Sequence, residues 1–184
     1  VSFAENAPVA VTLNPNIGSV RVVVVPVPSQ GDIGEITVTG STNGPVTLFV
    51  TTNLDFGGSA PTTSGARNLA GLNDLSGFVR FKGRLTGDLT GPISTTWLVY
   101  LHVGDEIQQS IHVAQGETFI EANRIASAGD IRLDVDDIAL VRARTGDLFA
   151  DVVASGGSLG VIEAPLGNIG SATSPVAIQA TETS

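Results

Sequence analysis

The chain has 184 residues, enough for one well-filled core, with 42% apolar residues, 15% charged residues and a formal net charge of −9. A mean hydropathy of +0.28 and a pI near 4.4 exclude intrinsic disorder and argue against non-specific binding to nucleic acid or an anionic membrane surface. No run approaches ~18 apolar residues, so no helical membrane insertion is expected, and the lack of cysteine removes disulfides and thiolate metal sites.

Helix signals are nearly absent, because no window carries an i, i+3, i+4, i+7 apolar stripe and Gly, Thr, Val and Pro dominate. In chain order, short apolar segments at 9–13, 20–25, 33–38, 46–50, 78–81, 97–103, 107–113, 131–135, 138–143, 148–153, 159–162 and 176–178 predict strands, each bounded by Gly-Asp, Gly-Gly, Asn-Gly or Pro. The reading is all-β. Residues 1–30, with Pro8, Pro15, Pro26 and Pro28, read as an N-terminal cap or linker, and 51–76 as a loop inserted into the remainder, 31–184.

The C-terminal part divides into ten-residue blocks at 136–145, 146–155, 156–165 and 166–175, and 31–40 looks like the same unit. Each block opens with a Gly- or Asp-containing turn, followed by apolar or small residues such as Ile138, Val141 and Ala143. A longer register of thirty aligns Phe81 with Ile111 and Val141, and Gly83 with Val113 and Ala143. Three blocks per period predict a solenoid with three faces and about thirty residues per turn, its rungs roughly 4.8 Å apart. From 78 to 175 the pattern resembles the right-handed parallel β-helix, and its Gly-Asp-aliphatic repeat is similar to those of bacterial surface and secreted proteins. A β-sandwich is the alternative.

Few residues stand out as carriers of chemistry. His102 and His112 lie ten apart, with no Gly-x-Ser-x-Gly elbow and too few companions for a zinc site, so both read as solvent-facing strand residues. The acidic run from Asp130 to Asp137 places Asp134 and Asp136 on one strand parity, where they could supply oxygens to Ca²⁺ or simply form a solvated corner. Strand alternation points Lys82 and Arg84 outward. In the thirty-residue register Lys82, His112 and Arg142 form one ladder, with Arg84 and Arg144 beside it, which reads as a shallow polyanion groove or as an ordinary charged face. Trp97 and Tyr100 have opposite parity, so a regular strand would place only one of them outside.

These observations lead to a non-catalytic structural or adhesive module, and the resemblance implies an extracellular or cell-surface setting. The alternative is a carbohydrate-binding or polysaccharide-lyase-like β-helix acting on acidic glycans. An acidic polysaccharide is the expected ligand, and exposed strand edges at the ends of a solenoid predict end-to-end self-association. No cofactor is called for beyond Ca²⁺ at Asp134 and Asp136. The chain starts at Val1, which reads as a piece of a longer protein or the product of leader removal.

Overall fold

A computed structural model describes residues 6–25, 32–52, 67–126 and 131–181. These hold twelve strands and no helix: β1 (Val9–Leu13), β2 (Val20–Val24), β3 (Ile36–Gly40), β4 (Val46–Thr51), β5 (Leu72–Asp74), β6 (Val79–Leu85), β7 (Ile93–Ile107), β8 (Ile111–Ile125), β9 (Arg132–Ala143), β10 (Asp151–Ala154), β11 (Leu159–Glu163) and β12 (Ile178–Ala180). Val, Ile and Thr dominate them, and branching at Cβ favours extended backbone. The strands join one sheet, and every strand pairing among the described residues is parallel.

Three columns of paired apolar residues cross the sheet. The first runs through Val9, Ile36, Leu72, Ile93, Ile111, Leu133, Val152 and Ile178. The second runs through Val22, Leu48, Phe81 and Leu98, and continues alongside as Leu101, Ile120, Val141 and Ile162. The third is made of single bridges linking Ile33, Leu69, Leu89, Ile107, Ile125, Leu148 and Ile169. Most of these side chains are buried in one continuous cluster from Val9 to Ala154. Burying a Leu or Ile contributes about 1.5–3 kcal/mol each, so the columns are the main source of stability. Phe81 is the largest fully buried side chain. Gly83 makes room for it: a Cβ there would lie 3.0 Å from the Phe81 ring and 2.6 Å from Leu101 Cδ1.

The spacing corrects the thirty-residue register. From Leu69 onward, column partners are 17–23 residues apart, from Phe81↔Leu98 to Ile125↔Leu148, except for Val152↔Ile178 at 26. Phe81, Ile111 and Val141 do not stack: Ile111 pairs with Ile93 and Leu133, and Val141 with Ile120 and Ile162. Two ten-residue blocks, not three, complete the period, because β7 and β8 each pass through all three columns as one 15-residue strand. Register shifts inside them take the place of loops. Any even lag preserves inward and outward parity, so the match at thirty reflected alternation and not stacking.

β1 and β2, inside the segment read as a cap or linker, pair with β3 and β4 as members of the sheet. The loop reading of 51–76 falls partly outside the described residues, and its described end carries Leu69 of the third column and β5.

The Gly-Asp-aliphatic signal has a structural meaning. The residue before each third-column member forms a polar ladder at a corner: Asp32, Asn68, Asp88, Glu106, Arg124, Asp147 and Asn168. Asn68 donates from its backbone N and Nδ2 to the Asp32 carboxylate (2.8 and 3.2 Å), and the Asp88 N–H donates to Asn68 Oδ1 at 2.7 Å. The Glu106 N–H donates to Asp88 Oδ1 at 2.9 Å, Arg124 Nη2 to Glu106 Oε2 at 3.2 Å, and the Asn168 N–H to Asp147 Oδ1 at 2.7 Å. Short acidic and amide side chains satisfy corner N–H groups that the strand ladder leaves over. Glycines beside them let backbones touch: Gly91 packs on the Ala70 carbonyl and Gly104 on that of Thr86.

Candidate functional site

The outward side chains of β2, β4, β6, β7, β8, β9 and β11 lie in three rows, set two residues apart by strand alternation. The first row is Arg21, Thr47, Arg80, Trp97 and Gln115, and the second Val23, Phe49, Lys82 and Tyr100. The third is Thr51, Arg84, His102, Glu121, Arg142 and Glu163. Trp97 and Tyr100 share this face despite their parity. The register shifts between Phe81 and Lys82, which pair with Leu98 and Tyr100, so the exposed Val99 is an extra residue that inverts the alternation. The Arg80 guanidinium lies 5.6 Å from the Trp97 ring centroid, a cation–π distance.

The two halves of the face differ in charge. On β2, β4, β6 and β7, between Arg21 and His102, the rows hold no carboxylate, and no described carboxylate lies within 4.0 Å of Arg21, Arg80, Lys82 or Arg84. On β8, β9 and β11 the third row alternates in sign. Arg142 pairs with Glu121 at 3.6 Å, and its Nε and Nη2 both contact Glu163 Oε1. Arg144 lies 3.5 Å from Glu121, and it donates to the Val103 carbonyl (3.0 Å) and to His102 Nε2 (3.0 Å). His102 is therefore neutral, with Nδ1 turned to Glu121 at 3.6 Å. Burial lowers its pKa from the ordinary 6.5, and Arg144 and Arg84 push it the same way against the opposing Glu121 carboxylate.

Two grooves open on this face. One, of about 460 Å³, is lined by Arg84, Thr86, His102, Gly104, Asn123 and Arg144. The other, of about 430 Å³, is lined by Arg21, Thr47, Phe49, Lys82 and Tyr100.

Among the residues singled out from sequence, the structure brings Arg84 and Arg144 to one groove and places Lys82 and Arg142 on the same face in adjacent rows. It does not form the Lys82–His112–Arg142 ladder. His112 belongs to the first column's outer side, between Ser94 and Asp134. The cause is the period near twenty, which carries a thirty-residue step onto a different column. Asp134 lies 3.5 Å from Arg132 and 3.7 Å from His112, while Asp136 Oδ2 accepts the Gly116 N–H at 2.7 Å. The pair proposed for Ca²⁺ is thus engaged separately, and no group of three His, Asp or Glu side chains among the described residues is placed to hold a metal ion. Arg21, Phe49 and His102 were not singled out for binding, because only the true register reveals their neighbours.

No family model matches the chain, and neither a curated protein nor a solved structure gives a match.

Proposed function

We propose that this chain is a non-catalytic structural or adhesive module, a three-faced parallel β-helix in an extracellular or cell-surface protein. The observation that carries the reading is the set of three apolar columns, each paired in parallel, at intervals of 26–36 residues up to β5 and β6 and mostly near twenty after them. Parallel neighbours need crossover connections, and here the connection to each next strand passes through the other two columns, which supports a three-faced coil. Such a stack is rigid because each rung is held by its neighbours. The column ends at Ile169 and Ile178 are 40% and 44% exposed, which supports end-to-end self-association. Sedimentation velocity over a concentration series tests this: association that grows with concentration and disappears in Ile169→Asp with Ile178→Asp supports the module reading. A concentration-independent monomer contradicts the self-association.

A second reading, binding of acidic glycans, is favoured by one observation: Arg21, Arg80, Lys82 and Arg84 on the outer face have no carboxylate partner among the described residues, in a protein with 18 acidic and 9 Lys or Arg residues. Retention on an alginate or heparin column, lost as salt rises, tests it. The structural and the glycan-binding roles are compatible, since a rigid face of repeating strands suits a repeating polymer.

A further inference from the structure

We infer that the groove between Arg21, Phe49, Lys82 and Tyr100 is a subsite for an anionic pyranose chain, carboxylated or sulfated, with the Tyr100 ring against a sugar face and the two cations on its acid groups. The inference rests on the glycan-binding reading and deepens it by naming where and how the chain is held.

Five observations converge on this groove. Arg21 and Lys82 line it together, and an opposite charge near either would lower the energy of both. No described carboxylate lies within 4.0 Å, so a ligand's acid group is the missing partner. Phe49 and Tyr100 are half-buried on the solvent side of β4 and β7 and flank Lys82 on β6, to which both are registered. An aromatic ring held at the surface offers a flat apolar platform with little entropy left to lose on binding.

The remaining two observations concern spacing and extent. Adjacent strands lie about 4.8 Å apart, close to the advance of one pyranose along an extended glycan. A chain laid across the strands therefore meets Phe49, Lys82 and Tyr100 with successive sugars. The Arg80–Trp97 stack in the next row extends the surface without adding a negative charge. A single-stranded nucleic acid also combines stacking with charge, so oligo-dT is the competing ligand in the test.

The test is a titration of the intact chain with hexasaccharides of galacturonate, with sulfated heparin hexasaccharides, with neutral galactose oligomers and with oligo-dT. Calorimetry and the emission of Trp97, the only tryptophan, are the readouts. Saturable binding of the carboxylated or the sulfated hexasaccharide is expected, and the stronger of the two identifies the acid group. Loss of one charge-assisted contact should weaken it about tenfold in Arg21→Gln or Lys82→Gln. Lys82→Arg should restore it, and Tyr100→Ala should weaken it with loss of the Trp97 signal. Thr47→Glu places an acid in the groove and removes none of the cation or ring contacts, so it should abolish binding in a folded chain. If the variants bind a glycan as the parent does, the groove is overturned while glycan binding stands. If no anionic glycan binds, both fall, and tighter binding of oligo-dT overturns the inference in favour of nucleic acid.

Discussion

Arg144 donates from Nη1 to His102 Nε2 across 3.0 Å, joining residues 42 apart in the chain. The bond exists only while His102 is neutral, since a protonated imidazole has no acceptor. The unfolded chain takes up this proton near 6.5, and the folded protein only at lower pH, chiefly because of burial. Between those values the unfolded state holds more protons, so stability falls as pH drops through 6.5 toward the folded value and is fully present above 6.5. Thermal midpoints between about pH 8 and pH 5 should fall more steeply for the parent than for His102→Gln, whose amide oxygen still accepts from Arg144. Parallel curves for the two would contradict this.

Gly91 packs against the Ala70 carbonyl, whereas a Cβ on Gly18 meets nothing within 4 Å. Backbone cannot yield as a side chain can, so Gly91→Ala should cost about 1–3 kcal/mol, as overpacking does. Gly18→Ala should lie within roughly 0.5 kcal/mol of the parent. Urea unfolding of the two variants checks the contrast, and equal midpoints would contradict the close approach of neighbouring corners.

Asp88 accepts from the Glu106 N–H and from Gln108 Nε2 (2.9 and 3.0 Å). Asp88→Ala should cost about 1.5–3 kcal/mol, the range for hydrogen bonds to a charged group. Hydrogen exchange should quicken at Glu106 first, since its amide loses its acceptor.

Lys82 is different, because no described carboxylate lies within 4.0 Å of it. Lys82→Gln should change stability by less than about 0.5 kcal/mol. A large loss in the same unfolding assay would mean that the cation supports the fold and that the groove is structural.

Much of the architecture is legible in the sequence. Strand segments such as 9–13 and 46–50 match β1 and β4 closely, because alternation with β-branched residues is a local property. The Gly-Asp-aliphatic triplets at 87–89 and 146–148 do mark equivalent corners. Their variants hid the period: Glu106-Ile107 and Arg124-Ile125 occupy the same corner without Gly or Asp, since Arg124 answers Glu106 by charge. β5 is not legible there, because three residues between Gly71 and Leu75 carry no periodic signal.

The outer face was legible only in part. Parity alone placed Lys82, Arg84 and Arg142 outside, which β6 and β9 bear out. It failed at Tyr100, because one bulge at Val99 inverts everything after it on the strand. It failed at His112 for a different reason: neighbours across a parallel sheet depend on the period, and parity carries no information about it.

Through-space backbone proton contacts in an NMR spectrum of the labelled chain test the twenty-residue period most directly. The account predicts contacts joining Phe81 to Leu98, and Ile120 to Val141, as parallel neighbours. Contacts joining Phe81 to Ile111 in their place would contradict the register, and with it the groove that the register assembles.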